Sequence, residues 1–315
     1  MRRHQLGRTR LEVSELGFGA SPLGAAYGPF AERDGIDAVR SALDLGITFF
    51  DVSTCYTATD AETLLGKALR GVDRSSYVLA ADVGRYGDPG FDFSGAGVTR
   101  SVQESLRRLG TDHLDLVQCH DIEFGDLDQI VEETLPALRE LQSTGLTRYV
   151  GIAGYPLPVL AHVAERAQVD TLMSYCQYTL QNRRLARWRD RFAAQGIGVI
   201  NTAPLAMGAL TPQGPPPWHP APASVLNHCA RAAHVCAARG ADLARLALQF
   251  AVATGGVAST VVGASHPSDV SRNVRWIDEP LDEGLLREIE RLLAPVRDVG
   301  WDSGRPENRQ LVGLP

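Results

Sequence analysis

Short apolar runs alternate along the chain with longer segments in which apolar residues recur every three or four positions. The short runs are rich in β-branched residues, as buried strands are, whereas the longer segments have the spacing of amphipathic helices. The short runs predict eight strands, at residues 14–20, 47–53, 77–82, 114–120, 148–154, 171–177, 198–204 and 258–264. The longer segments predict helices between them, for example at residues 34–46, 97–110, 127–145 and 223–240.

Eight strands that are each followed by a helix predict an α/β fold of the (β/α)8 TIM-barrel type. We expect one domain over residues 1–315, with an N-terminal hairpin before the barrel and an extra C-terminal helix. A doubly wound open sheet is the main alternative, but it normally carries a G-x-G-x-x-G turn after its first strand. Here "FGASPLGAAYG" (residues 18–28) follows instead, which favours the barrel. Long loops, which are often functional, are predicted at residues 204–223 and in the tail after about residue 298.

The composition narrows the class of partner. With 44% hydrophobic and 22% charged residues the chain is typical of a soluble globular protein. Its net charge of −6 argues against a nucleic-acid or anionic-membrane partner, and no apolar run reaches the roughly 18 residues that span a bilayer. The basic N-terminus lacks the uncharged core of a signal peptide. We therefore expect a cytoplasmic protein, monomeric or homo-oligomeric, that acts on a small molecule.

The cysteines bear on disulfide and metal sites, and the lysine count bears on the candidate chemistry. The chain has five cysteines and no C-x-x-C pair, so neither a disulfide framework nor a metal site is expected. Its basic residues are nearly all arginine, and Lys67 is the only lysine. Lys67 falls in a segment predicted to be a helix on the outside of the barrel, where we expect it to be solvated.

Reactive groups in such a barrel sit at the carboxyl ends of the strands. Those ends place Asp51 and Tyr56 after the second predicted strand, Asp82 after the third and His120 after the fourth. A single Asp in such a position is often only a helix or turn cap, and a single Tyr or His is more often structural than catalytic. Four such residues on adjacent strands predict an active site.

Several motifs in the right order make the chain resemble the aldo-keto reductase superfamily, from about residue 4 to 308. "ITFFDVSTCYTATDAETLLGKAL" resembles the family signature, in which a strand-end Asp precedes a catalytic Tyr. "LDLVQCHDIEFG", "GPPPWHP", "LARLALQFAV" and "WDSGRPEN" resemble the branch that contains L-galactose, L-fucose and pyridoxal dehydrogenases. The resemblance implies hydride transfer between a nicotinamide and a carbonyl or alcohol carbon.

Carried over residue by residue, the resemblance assigns the proton relay to Tyr56 and the substrate-oxygen ligand to His120. Asp51 takes the position of the carboxylate that pairs with a lysine, and that lysine ends the third strand in the family. In "YVLAADVGRY" the position of that lysine is occupied by Asp82. No shift of the alignment brings a lysine there, because the only lysine of the chain is Lys67. Arg85 is a weak substitute, since relatives that keep the lysine also carry an arginine there.

The exchange changes the electrostatics of the phenol. A tyrosine has an ordinary pKa of about 10, and a cation at about 4 Å favours the tyrosinate by about 4 kcal/mol at an effective dielectric of about 20. An ionised Asp82 acts in the opposite sense, so Tyr56 is expected to stay a neutral phenol. If Asp82 lies near Asp51, one carboxyl of the pair is expected to hold a proton.

The expected cofactor contacts follow from the same resemblance. In the strand-eight motif "VVGASHPSDVSRNV", Gly263, Ala264, Ser265 and Asn273 match backbone and adenine contacts of the family. The segment "PLAMGAL" supplies the expected pyrophosphate contacts. At the nicotinamide end the family's Ser-Asn pair and stacking aromatic are replaced by smaller residues. The remaining predicted cofactor residues are Ala153, Gly154, Thr202, Pro204, Leu205 and Gly208.

Asp269 sets the expected choice of dinucleotide. It stands where NADP-preferring relatives have an arginine for the 2′-phosphate, and a carboxylate there repels that phosphate but accepts a hydrogen bond from a free ribose hydroxyl. NAD is therefore expected rather than NADP, although Asp269 as a simple helix cap is the alternative. A turnover that uses no dinucleotide stays open at this point.

These residues leave three hypotheses. The first is an NAD(P)-dependent oxidoreductase of a small sugar, polyol or cyclic carbonyl or alcohol, with a catalytic tetrad altered at Asp82. The second is a redox-neutral dehydratase, isomerase or epimerase in which Asp82 and His120 act as acid and base. The third is a non-catalytic dinucleotide-binding subunit.

Overall fold

A computed structural model describes residues 1–25, 28–54, 60–87, 90–253 and 255–313. Eight parallel strands close into a barrel, and an antiparallel hairpin precedes it, so the predicted TIM-barrel fold is confirmed. The hairpin strands are β1 (Arg3–Gln5) and β2 (Glu12–Ser14). The barrel strands are β3 (Leu16–Gly19), β4 (Phe49–Ser53), β5 (Val78–Val83), β6 (Leu114–His120), β7 (Thr147–Gly154), β8 (Thr171–Tyr175), β9 (Gly198–Thr202) and β10 (Ser259–Gly263).

Helices form the outer layer of the barrel. The predicted helix at residues 127–145 is interrupted by a π-helical turn, Ile130–Thr134, and helices beyond the last barrel strand include the expected extra C-terminal one. The helices are α1 (Glu32–Asp44), α2 (Asp60–Leu69), α3 (Gly95–Leu109), α4 (Leu127–Gln129), α5 (Leu135–Ser143), α6 (Leu157–Arg166), α7 (Leu185–Ala194), α8 (Ala223–Ala238), α9 (Leu243–Val252), α10 (Pro267–Asp278), α11 (Glu283–Leu293) and α12 (Pro306–Arg309).

Residues of each strand alternate between the barrel interior and the helical layer, as the two-residue period of a strand requires. In β5, Leu79 and Ala81 pack in the cluster under the helices, whereas Val78 and Ala80 belong to a second cluster inside the barrel. Asp82 continues the inward-facing series of Val78 and Ala80. The strand is buried on both faces, which explains why its sequence is a continuous apolar run.

The N-terminal hairpin closes one end of the barrel. Leu6, Leu11 and Val13 are buried in the same interior cluster as Phe49 and Leu116. This plug lies at the amino-terminal ends of the strands. The opposite end, called the mouth below, is formed by the carboxyl-terminal ends of the eight barrel strands, and this is the end that can receive a ligand.

Close helix packing fixes the outer layer near the amino-terminal ends of the strands. A Cβ added at Gly66 of α2 would lie 2.6 Å from the carbonyl oxygen of Arg108 and 2.7 Å from that of Leu109, both at the end of α3. On the exposed side of α2, Lys67 Nζ lies 2.8 Å from Glu32 Oε1 of α1. The sole lysine is therefore outside the barrel and paired on its surface, as expected.

Within the ranges that the structure describes, no helix combines the length and the apolar character needed to cross a membrane.

Replacement of Gly66 by Ala is expected to destabilise the fold by about 1–3 kcal/mol, because the new methyl group meets backbone atoms that cannot rotate away. Urea unfolding of the variant and the natural chain measures the difference. Gly255→Ala is the matched control, since a Cβ at Gly255 meets no atom within 4 Å. Equal losses in the two variants would contradict this account of the contact between α2 and α3.

Candidate active site

The inward-facing ends of three neighbouring strands bring four polar side chains together at the mouth. Asp51 belongs to the inward series of β4, Asp82 ends that of β5, and Gln118 and His120 end that of β6. The register pairs Asp51 with Ala80 and Asp82 with Gln118. Asp82 and Gln118 therefore lie side by side, with Asp51 one inward position below them and His120 one inward position above. Asp82, Gln118 and His120 are buried, whereas Asp51 keeps part of its surface open.

The Gln118 amide links the two carboxyl groups. Its Nε2 lies 3.2 Å from Asp82 Oδ1 and 3.4 Å from Asp51 Oδ1, and both oxygens accept from it. Gly151 on the adjacent strand lies beside this side chain, and a Cβ there would lie only 2.1 Å from Thr171 Oγ1 of the next strand. The neutral amide of Gln118 thus donates to both Asp51 and Asp82.

The imidazole of His120 lies between two carboxylates. Its Nε2 is 3.6 Å from Asp82 Oδ2, and its Nδ1 is 3.4 Å from Asp121 Oδ1. The other oxygen of Asp121 lies 2.5 Å from Nη1 of Arg85. The charge of Arg85 is therefore directed at Asp121, which agrees with its expected weakness as a substitute for lysine at Asp82.

Asp121 adopts a left-handed backbone conformation, with φ of 56° and ψ of 43°. This conformation is unfavourable for most residues and is tolerated best by Gly, Asn and Asp. The turn at Asp121 follows β6 directly and directs a fully buried carboxylate toward His120 and Arg85.

The pKa values of the three carboxyl groups, Asp51, Asp82 and Asp121, differ because their surroundings differ. Removal from water, and then the charge of Asp82, raise the pKa of Asp51 well above its ordinary range. Burial also raises the pKa of Asp82 to about 6, although His120 and the Gln118 amide act in the opposite sense. Burial acts on Asp121 as well, but His120 and Arg85 outweigh it and lower its pKa to about 2. The environment of Asp121 thus favours its anion, whereas that of Asp51 favours its protonated form.

Glu123 ties the C-terminal segment to this wall of the mouth. Its Oε1 accepts from Tyr155 N at 3.0 Å, from Ser303 Oγ at 2.9 Å and from the Tyr175 hydroxyl at 3.3 Å. Its carbonyl oxygen accepts from Asn308 Nδ2 at 2.8 Å. Burial, reinforced by the charge of Asp121, raises the pKa of the Glu123 carboxyl to about 7.

Aromatic rings line the same wall. The ring of Tyr175 lies parallel to that of His120 at 6.5 Å, and Tyr155 lies 5.5 Å from Tyr175. Trp301 of the C-terminal segment stacks on Tyr155 at 4.2 Å, and His219 meets Trp301 edge-on. The two long loops predicted from the sequence therefore both reach this wall.

The predicted cofactor residues fall on the opposite arc of the mouth. Thr202 ends β9 and Gly263 ends the adjacent β10, where Gly263 is exposed. The helix α10 follows and directs its N-terminus, which carries partial positive charge, toward the same arc. Small side chains, backbone donors and a helix N-terminus fit an extended anionic ligand such as a dinucleotide. The other predicted residues on this arc are Pro204, Leu205, Gly208, Ala264, Ser265 and Asn273.

Two other predicted cofactor residues have clear structural roles. Ala153 is fully buried in the interior cluster of the barrel. Gly154 packs against Glu123, because a Cβ at Gly154 would lie 2.5 Å from Glu123 Oε2. Their contact with a cofactor stays a prediction.

Asp269 lies in the first turn of α10 and does not stand alone. Its Oδ1 accepts from Nη2 of Arg272 at 2.7 Å, on the exposed face of the helix. A carboxylate and a guanidinium are thus both available near the predicted ribose position.

The predicted proton relay, Tyr56, lies outside the described residues. Sequence reasoning singled out neither Gln118, Asp121 nor Glu123. A signal was available for Asp121, which follows the predicted strand-end His120 directly. Across the described portion of the chain, no cluster of three or more His, Cys, Asp or Glu side chains has the arrangement of a metal site.

Comparison with known proteins gives one consistent result. The model of the aldo/keto reductase family matches residues 15–294. L-galactose dehydrogenase from Arabidopsis thaliana is 45% identical over 312 residues, covering 96% of this chain and 98% of that protein. D-arabinose 1-dehydrogenase from Saccharomyces cerevisiae is 33% identical, covering 82% and 81%. The holo form of an aldo-keto reductase from Bacillus halodurans superposes with a TM-score of 0.79 at 30% identity, covering 98% and 99%.

The Asp82→Asn variant is expected to alter the pH dependence of stability. A carboxyl whose pKa rises from 3.8 to about 6 on folding stabilises the folded state below pH 4, and this contribution is lost as the pH rises through 6. Asparagine keeps the acceptor for Gln118 and has no proton to lose. Relative to the natural chain, the variant should therefore gain on the order of 2 kcal/mol between pH 4 and pH 8.

Urea unfolding at a series of pH values measures this difference. Asp44→Asn, at an exposed carboxyl on the end of α1, is the control and should leave the pH dependence unchanged. Parallel stability curves for Asp82→Asn and the natural chain would show that burial does not perturb Asp82.

Proposed function

The chain belongs to the aldo/keto reductase family, and from this premise we propose that it is a nicotinamide-dependent oxidoreductase of a small sugar or polyol, with an altered set of catalytic residues. The observation that carries the proposal is the convergence of Asp51, Asp82 and His120 at the mouth of the barrel. In addition, both curated relatives described above are named as sugar dehydrogenases.

A bound nicotinamide dinucleotide would supply the hydride acceptor or donor. Backbone and side chains at the ends of β9 and β10, from Thr202 to Gly208 and from Gly263 to Ser265, would hold its phosphates beside the N-terminus of α10. Asn273 would contact the adenine. Asp269 would accept a hydrogen bond from the ribose and repel a 2′-phosphate, so NAD is proposed in preference to NADP.

The aromatic wall supports a sugar as the substrate. Tyr175 and Trp301 are half-buried, so each offers part of a ring face together with a polar edge. Sugar rings have apolar faces and hydroxyl edges, which match such a wall. The classes proposed are therefore small sugars, polyols and cyclic alcohols or carbonyls.

The residues of the site would have different roles in proton transfer. His120 would donate Nε2–H to the substrate oxygen, and Tyr56 would stay a neutral phenol because Asp82 supplies no positive charge. Burial and the charge of Asp82 raise the pKa of Asp51 and favour its protonated form, so Asp51 would not act as the base. The redox-neutral and non-catalytic hypotheses are not favoured, because the two relatives described above, which cover 96% and 82% of this chain, are named as dehydrogenases.

Turnover of a sugar and polyol panel with NAD tests the function directly. The natural chain is expected to form reduced nicotinamide slowly at neutral pH, and Asp82→Lys is expected to raise kcat at least tenfold. A lysine ammonium removes the negative charge and favours the tyrosinate, and each tenfold change in rate requires only about 1.4 kcal/mol. The absorbance of reduced nicotinamide measures the rate.

Asp44→Lys is the matched control, because it makes the same change in net charge on the exposed surface. It should leave kcat unchanged. Absence of turnover in both the natural chain and Asp82→Lys, over oxidation and reduction, would refute the proposed function.

Dinucleotide binding tests the proposed choice of NAD. Kd for NAD is expected to be at least tenfold below Kd for NADP, and Asp269→Ala should reduce that ratio. Loss of the carboxylate removes the repulsion and releases the Arg272 guanidinium for the 2′-phosphate. Calorimetry measures both constants, with Asp278→Ala at the far end of α10 as the control. A preference for NADP in the natural chain would overturn the assignment.

A further inference from the structure

The buried side of the mouth has more carboxyl groups than cations. Among the described residues, Asp51, Asp82 and Asp121 meet there, and the guanidinium facing them is that of Arg85. With every carboxyl ionised and the imidazole neutral, this group would carry a net charge of −2, which is costly out of water. Two protons would neutralise it.

Asp51 takes the first of these protons. The negative charge of Asp82 acts on it, and its contact with Gln118 is a single long hydrogen bond of 3.4 Å. Asp121 cannot take the second, because its tight contact with Arg85 fixes it as an anion. The second proton therefore belongs to the pair formed by Asp82 and His120.

Geometry assigns that proton to the imidazole. Each ring nitrogen of His120 faces a carboxylate oxygen at ion-pair distance, 3.6 Å for Asp82 and 3.4 Å for Asp121, so a ring with both nitrogens protonated is attracted to both anions. We propose that His120 is the cation of this site, an imidazolium held between Asp82 and Asp121, and that Asp121 is its positioning residue.

Among the residues that the structure describes, the other charged and titratable groups near His120 do not reverse this balance. Tyr175, which stacks on the ring, is a neutral phenol because burial, Asp121 and Glu123 raise its pKa. Cys119, the preceding residue, is a neutral thiol because burial raises its pKa. Glu123 titrates near pH 7 and adds negative charge when ionised, which favours the imidazolium further.

Glu62 is the remaining carboxyl that acts on Asp82. It is paired with Arg108 at 2.5 Å on the helical layer, so its charge is largely compensated there. Its residual negative field would raise the proton affinity of the pair formed by Asp82 and His120, not lower it.

The charge state stands independently of the proposed function, and only its catalytic consequence rests on that function. A His120 imidazolium has a proton at Nε2 for a substrate oxygen that is becoming a hydroxyl. It has no lone pair to accept a proton from a hydroxyl that is becoming a carbonyl. The site should therefore favour carbonyl reduction at neutral pH, and alcohol oxidation should increase as the imidazolium loses its proton.

Titration of the histidine rings by nitrogen NMR, without dinucleotide or substrate, tests the charge state. His120 is expected to titrate at least one pH unit above the ordinary value of about 6.5. Its resonance is identified as the one absent from His120→Gln. A His120 that is neutral at pH 6.5 in the natural chain would overturn the proposal, whatever the activity of the protein.

Substitutions of the charged groups beside His120 test whether those groups hold its second proton. Asp82→Asn and Asp121→Asn should each increase the acid dissociation constant of His120 about tenfold, since each removes one neighbouring anion. Asparagine also tolerates the left-handed backbone at position 121. Arg85→Gln should change the constant in the opposite direction, because it removes a neighbouring cation.

A matched control is present on the surface. His113 Nδ1 lies 2.7 Å from Asp112 Oδ1, and Asp112→Asn should alter the titration of His113 without changing that of His120. If neither Asp82→Asn nor Asp121→Asn moved the His120 titration, the two carboxylates would not hold the proton, and the proposal would fail.

The role of Asp121 as a positioning residue has a separate readout. In Asp121→Asn the pH at which oxidation reaches half its maximum should shift down with the His120 titration, and kcat should fall more than KM rises. A uniform loss of activity with an unchanged pH profile would indicate a purely structural role for Asp121.

Discussion

The cost of holding several carboxyl groups together out of water governs this site. The fold fixes Asp51, Asp82 and Asp121 at adjacent strand ends, and the closed barrel gives them no freedom to separate. Their charge must be balanced by protons, by Arg85 or by the imidazole between them. The Gln118 amide moderates the repulsion, but a neutral dipole shared between two acids cannot replace a cation.

Most of the fold could be predicted from the sequence, because strand and helix periodicities are local. The predicted strand 77–82 is observed as β5 at Val78–Val83, and the predicted helix 34–46 as α1 at Glu32–Asp44. The π-helical turn at Ile130–Thr134 could not be predicted, since packing against neighbouring elements decides it.

The candidate site could be predicted only as far as strand ends reveal it. Asp51, Asp82 and His120 are visible as polar residues that terminate apolar runs. The roles of Asp121 and Glu123 depend on a left-handed turn and on contacts with residues nearly two hundred positions away, such as Ser303. Neither has a local sequence pattern, so both required the three-dimensional arrangement. The proton relay Tyr56 stays a prediction.

The attachment of the C-terminal segment to Glu123 has a consequence for biosynthesis. Trp301, Ser303 and Asn308 leave the ribosome after every strand of the barrel, yet they complete one wall of the mouth. A chain that has formed every strand of the barrel but not these contacts therefore lacks part of the wall beside Glu123. The scaffold is made first, and docking of the C-terminal segment then completes the surface that it carries.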